Sequence, residues 1–190
     1  MSKINLSDLP QTEIVDVHIA SPGARVAAYL LNNLFTFLIW LPFIVMVVFT
    51  LDESKELVSE SSLFNTPEYF AITFFISLAV YLVFGIVQLY YMSRDGQSLG
   101  KKIMGIRVLK SDGNNPGFEG TVLIREVVWA LAVGVVVTIV SLAISDTGGN
   151  LISLLIAFIN FIMLFSVKRD RRTLYDMLAD TVVVKLPLRR

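Results

Sequence analysis

The run VAAYLLNNLFTFLIWLPFIVMVVFTL, Val26 to Leu51, continues for 26 residues without an Asp, Glu, Lys or Arg. A helix rises ~1.5 Å per residue, so about 20 apolar residues already cross a ~30 Å hydrocarbon core. Three further stretches share the property: Tyr69 to Ser93 with 25 residues, Val127 to Ser145 with 19, and Thr147 to Val167 with 21. Over the 190 residues, 55% are hydrophobic and only 17% charged, and the mean hydropathy is +0.69. Too little polar sequence remains between the runs to close a separate soluble domain. The pattern predicts an all-α membrane protein with four transmembrane helices, at about 26–51, 70–92, 126–145 and 149–167.

The formal net charge of zero averages two unlike surfaces. With four crossings the connecting segments alternate sides, and the bases do not. Lys3 and Arg25 precede or open the first helix, Lys55 stands alone in the first loop, six bases lie between Arg94 and Arg125, and seven follow from Lys168 onward. Fifteen of the 16 bases therefore share one side, with 10 acids, leaving +5 there. By the positive-inside rule that side is the cytoplasm. Both termini are then expected inside a cell (inner) membrane, with the acidic first loop (Asp52, Glu53, Glu56, Glu60, Glu68) outside. The basic side also suits anionic lipid head groups.

The chain has no cysteine and one histidine, His18. Disulfides, thiolate chemistry and a His- or Cys-ligated zinc are therefore not expected. Without a Cys nucleophile, a second His or an HExxH motif, an intramembrane hydrolase is set aside, and no enzyme activity, cofactor or nucleic-acid partner is expected. The first apolar run begins after 25 residues and far exceeds the 7–15 residues of a signal-peptide core, so it reads as a retained helix.

Between the runs, polar segments carry recognisable structure. The arm, residues 1–24, holds an alternating stretch from Ile14 to Ile19, a strand or an extended lead-in. Ser21-Pro22 then reads as a cap followed by a first-turn proline. Pro42 should kink the first helix; Trp40 beside it faces either the kink or lipid. Ile106 to Lys110 reads as a strand before the dense turn signal Ser111 to Gly117. Arg171 to Ala179 reads as a short helix, and Thr181 to Leu186 as a second strand. The two strands are expected to pair against the cytoplasmic helix ends, because an unpaired Val-rich strand beside a membrane would invite aggregation.

Three motifs stand in order along this frame. They are Arg25 to Asn32 (RVAAYLLN), Gly96 to Lys101 (GQSLGK) running into Gly105 to Val108, and Arg172 to Val183 (RTLYDMLADTVV). Together they resemble the RDD family of bacterial membrane proteins, which is named for one arginine and two aspartates. The resemblance assigns residues 25–184 to an RDD-type membrane domain, leaving 185–190 as a basic end. It implies that Arg25 is the family arginine and Asp176 the second aspartate. Gly96, Ser98, Gly100 and Lys101 would form the motif loop, with Ser98 where threonine is often found. The first aspartate position holds Asn32, an amide that cannot exchange a proton near neutral pH. Tyr175 stands where histidine is common, and Asp180 where glycine is common.

Arg25 and Asn32 lie nearly two turns apart on one helix face. A buried amide in hydrocarbon needs a partner, either another helix or a ligand. Arg25 either snorkels to the boundary or pairs with a carboxylate, for which Asp176 is the candidate. Glu126, at the expected start of the third helix, is an acid favoured by the macrodipole or a contact on an ion pathway. Asp176 and Asp180, four apart, share a face if their segment is helical; beside Arg171 and Arg172 they read as a solvated acidic face, with cation coordination or proton relay as the alternative. Asn160 is expected to be the deepest strongly polar side chain, joining helices or touching a solute. No span carries an ionisable group at its middle, where proton and cation relays usually hold one.

Two functions remain open. The resemblance implies transport of small ions or solutes, which four helices would need a homo-oligomer or another membrane-protein partner to provide. The other is an accessory or assembly subunit whose cytoplasmic face docks a partner.

Overall fold

The computed structural model describes residues 18–51 and 67–186. Four long helices form: α1 (Pro22–Leu51), α2 (Pro67–Asp95), α4 (Glu119–Ala143) and α5 (Asp146–Met163). Each is long and apolar enough to cross a membrane. Between α2 and α4 lie the short helix α3 (Leu99–Ile103) and strand β1 (Ile106–Lys110). After α5 come a 3₁₀ turn (Val167–Arg169), the short helix α6 (Leu174–Leu178) and strand β2 (Thr181–Lys185).

Several boundaries differ from the hydropathy runs, for one physical reason. A charged side chain ends an apolar run but does not end a helix. α2 continues to Asp95. α4 begins at Glu119 rather than near 126, its first ten residues to Val128 wound as a π-helix. The expected helix over 171–179 shortens to five residues, because Asp170 and Arg171 both take left-handed backbone (φ 52° and 53°). α5 starts at Asp146, where the Ser145 hydroxyl accepts from the Gly148 N–H at 3.1 Å.

The long helices form two hairpins, α1 against α2 and α4 against α5. An aromatic cluster joins the first pair. Trp40 turns toward α2, with Phe74 and Tyr81 at 6.0 and 5.9 Å between ring centroids. The hairpins meet chiefly at one end, where the π-wound start of α4 packs on α2 and on α6, and α3 packs on α1. That end also carries the sheet and is called the β end here.

β1 and β2 pair antiparallel, with Val108 opposite Val183 and Ile106 opposite Lys185. The arm joins them: Ile19 bridges Val184, and the Ala20 N–H donates to the Val183 carbonyl at 2.9 Å. Residues 14–17 of the alternating stretch lie outside the described residues. Ala20, Ala28, Ile106, Val108 and Val183 form a small buried core that seats the sheet on α1. Little else is buried, and the long helices leave Leu, Ile, Val and Phe side chains exposed along their lengths, as helices facing hydrocarbon would.

Candidate functional site

Two polar constellations occupy the β end. The first is built around Asp176, which is fully buried. Thr173 caps α6, and its backbone N–H and hydroxyl donate to Asp176 Oδ2 at 3.0 and 2.8 Å. With the Asp176 N–H returning to Thr173 Oγ1, this is a capping box. The box alone would turn the carboxylate into the protein with half its acceptor capacity unused. Arg25 adds to the same oxygen from α1: its Nη2 donates to Asp176 Oδ2, and its Nη1 to the Arg171 carbonyl. From α4, Arg125 Nη2 stands 2.7 Å from Asp176 Oδ1, and its guanidinium lies 4.9 Å from the Tyr175 ring centroid. Arg171 closes the circuit by donating to the Ala20 carbonyl at 3.2 Å.

Three elements distant in sequence thus converge on one carboxylate. Burial pushes the Asp176 carboxyl up, but the Arg125 and Arg25 charges and the Thr173 hydrogen bond outweigh it and hold it below the ordinary range. In the sequence Arg125 stands only as the last of the six bases between the second and third apolar runs. Thr121 and Arg125, four apart in the π-wound start of α4, are both buried, a placement that only the fold reveals.

The second constellation centres on Asn32 and fixes α3. Asn32 Nδ2 donates to Ser98 Oγ at 2.8 Å, and Asn32 Oδ1 accepts from the Gly100 N–H at 2.9 Å and Gln88 Nε2 at 3.1 Å. Gln88 Oε1 in turn accepts from the Leu99 N–H at 2.9 Å. Ser98 caps α3 through the Lys101 N–H. The small residue at Gly100 is required by close approach, since a Cβ there would overlap the Ala28 carbonyl oxygen and stand 2.9 Å from Asn32 Oδ1. Gly96 has φ +66°, and its carbonyl accepts from the Val108 N–H at 2.9 Å, which locks the motif loop to β1. Gln88, within α2, completes this network.

Other expected site residues are placed apart. Asp180 does not share a face with Asp176. It sits past the end of α6 with left-handed backbone (φ 47°), exposed, accepting from Ser111 Oγ at 2.6 Å and Arg172 Nη2 at 2.8 Å. Those hydrogen bonds lower its carboxyl. Glu126 is exposed and two turns inside α4, so Glu119 rather than Glu126 is the acid at that helix start. Asn160 is not a midplane group. It lies three residues before the end of α5 and accepts from the Leu174 N–H at 2.9 Å, helping to hold the start of α6. Lys101, on α3, carries its ammonium on a half-buried side chain. Burial first, then the Arg125 charge, lower that ammonium to about 7.

The RDD family profile matches residues 19–180. The chain belongs to the RDD family. The match spans both constellations, from the arm residue that bridges β2 to the end of α6, and so covers all four long helices. A Haemophilus influenzae (strain Rd) protein, named only as an uncharacterized protein, is 28% identical over 121 residues, covering 61% of this chain and 62% of its own. The chain thus spans less than two thirds of that relative's length. No solved structure matches. Within this RDD chain the arginine and aspartate of the motif meet in one ion pair, while Asn32 belongs to a separate network between α1, α2 and the start of α3.

Proposed function

We propose that this RDD protein is a non-enzymatic subunit of the cell (inner) membrane, with both termini and the β end in the cytoplasm. It assembles with other membrane helices, a second copy of itself first, and its β end docks a partner protein. One observation carries this reading: the polar side chains of the motif are consumed in holding the protein's own elements together. Arg25 and Asp176 tie α1 to α6, and Asn32 ties α1 to α3, so neither is free to carry a solute. The orientation rests on the segregation of bases to the β end. The assembly rests on two hairpins that pack mainly within themselves and leave apolar faces along their lengths, since helix association in lipid relies on such packing.

A second reading, transport of small ions or solutes through an oligomer, is favoured by a cleft of about 750 Å³ between α1 and α2. Its wall is apolar apart from Thr73 and Ser77. Purified protein in liposomes separates the two. Mass measurement in detergent is expected to give an oligomer, and an imposed sodium, potassium or proton gradient is expected to decay no faster than in empty vesicles. Gradient-driven flux would overturn the assembly reading in favour of transport; a stable monomer would sink both.

A further inference from the structure

α1 and α2 are joined unevenly. On one side Trp40 and Phe43 interlock with Phe70, Phe74 and Tyr81. On another, α2 presents the small side chains of Thr73 and Ser77, and the cleft of about 750 Å³ opens between the two helices. That volume lies within the ~300–1,000 Å³ range of pockets that hold small ligands. The cleft is open along its side, because Leu38, Ile76 and Val80 line it and are each about half exposed. In a membrane that opening faces hydrocarbon, and an apolar wall gains dispersion contacts from a chain that fills it.

The cleft ends at the β end, and its mouth there is charged. Leu99 of α3 lines it, and the Asn32–Gln88–Ser98 network holds α3 in that place. The α2 wall runs Thr73, Ser77, Val80 and Phe84, and the same three-and-four spacing continues through Gln88 and Tyr91 to Asp95. The Lys102 ammonium, on α3 one turn beyond Leu99, stands 3.8 Å from the Tyr91 ring centroid and 3.8 Å from Asp95 Oδ2. Arg94 Nε lies 3.5 Å from Asp95 Oδ1. Two exposed bases therefore share one carboxylate, and the mouth keeps a surplus positive charge. From Thr73 to Phe84 the wall rises ~16 Å, which is about half of a ~30 Å hydrocarbon core, the depth of one leaflet.

We propose that the α1–α2 cleft binds one acyl chain of an anionic phospholipid from the leaflet on the β-end side, with the lipid phosphate at Lys102 and Arg94. The chain matches the apolar wall and its single-leaflet depth. The phosphate matches the surplus charge, and lysine and arginine make strong charge-assisted bonds to it. Arg94 Nη1 donates to the Tyr90 hydroxyl at 2.7 Å, so the bases are held among tyrosines, the side chains that gather where helices meet head groups. A second copy would set its own basic β end beside this one, so the charge at the mouth favours lipid over self-contact. The site needs the membrane placement of the helices and not the assembly of the chain.

The test uses the full chain, purified and delipidated in detergent, with phosphatidylglycerol and phosphatidylcholine as probes and native mass spectrometry as the readout. Native protein is expected to retain phosphatidylglycerol over phosphatidylcholine. Val80→Phe puts a ring into the cleft from a half-exposed position, so it should fold as the native chain does and lose both lipids. Ile76→Phe, at another half-exposed position in the wall, takes its place if Val80→Phe melts early. Leu82→Phe, exposed on α2 but not lining the cleft, should bind as native. Lys102→Gln should weaken phosphatidylglycerol about fivefold and leave phosphatidylcholine unchanged, the factor that one lysine near anionic lipid supplies. Equal retention of the two lipids by native protein, or undiminished retention when the cleft is filled, would overturn the proposal. A filled cleft that keeps its lipid while the oligomer falls to monomer would do so too, and would give the cleft to a second copy.

Discussion

Arg25 and Asp176 lie 151 residues apart in the chain and meet in one buried ion pair. Their contact joins the first turn of α1 to α6, and through Arg125 it also reaches α4. Both hairpins are therefore anchored to the same carboxylate. Since the hairpins share few other contacts, the pair bears more of the fold than a surface salt bridge would.

Breaking it should be costly. Removing one partner of a buried pair leaves an uncompensated charge, typically worth about 3–5 kcal/mol. Asp176→Asn, which strands two guanidiniums, is expected to lower thermal stability in detergent more than Arg25→Ala, which leaves Arg125 in place. Asp180→Asn touches an exposed pair and should leave the melting temperature close to native. Equal melting temperatures for Asp176→Asn and Asp180→Asn would refute the anchoring role.

The acid dependence follows from the same carboxylate. The folded Asp176 is held below the ordinary value, near 3.9 for an unfolded aspartate. The unfolded chain thus binds the proton more readily, and the stabilisation is complete above about pH 4. It is lost as pH falls through the lower, folded value. Unfolding measured from pH 7 downward should show this loss in native protein and a flatter profile in Asp176→Asn. Identical profiles would count against it.

Asn32 gives a prediction of opposite character. Its amide oxygen accepts two N–H groups and its amide nitrogen donates to the Ser98 hydroxyl. A carboxylate could accept from all three, with the Ser98 hydroxyl turned to donate. Asn32→Asp should therefore fold and remain within about 1 kcal/mol of native, whereas Asn32→Leu leaves buried donors unpaired and should cost about 1–3 kcal/mol. Gly100→Ala should also destabilise, because α3 must move off the Ala28 carbonyl. Melting temperatures of the three variants in one detergent decide the matter. Asn32→Leu at native stability would remove the network from the account.

Much of this architecture was legible in the sequence, and the illegible part has a pattern. Charge-free runs reveal α1, α2, α4 and α5 because hydrocarbon tolerates little else, and Val-rich alternation beside turn residues reveals β1 and β2. The start of α4 is not legible, because Glu119 to Arg125 extends that helix ahead of its apolar run and hydropathy marks the membrane, not the hydrogen-bond ladder. The four-residue spacing of Asp176 and Asp180 suggested a shared face. Left-handed backbone at Asp180 sends it outward instead, and one sequence spacing does not report a dihedral angle. Arg125 was hidden for another reason: its partner comes from a distant segment, and only the tertiary fold brings the two together.

Lys101 supplies the last prediction, because folding disfavours its charged form where it favours that of Asp176. Enclosure and Arg125 lower its ammonium from 10.5 to about 7. Here too the unfolded chain binds the proton more tightly, but the group is a cation, so keeping it charged in the folded state costs stability. That cost is complete below about pH 7 and disappears as pH rises from there toward 10.5. Native protein should therefore gain stability over that window. Lys101→Met, which has no ammonium to bury, should be more stable than native at pH 6, by about 1–3 kcal/mol once surface screening is allowed for. The difference should close near pH 10. Thermal unfolding of both proteins at the two pH values, in one detergent, measures it directly. A Lys101→Met protein less stable than native at pH 6 would mean that the ammonium already has a compensating partner in the folded chain.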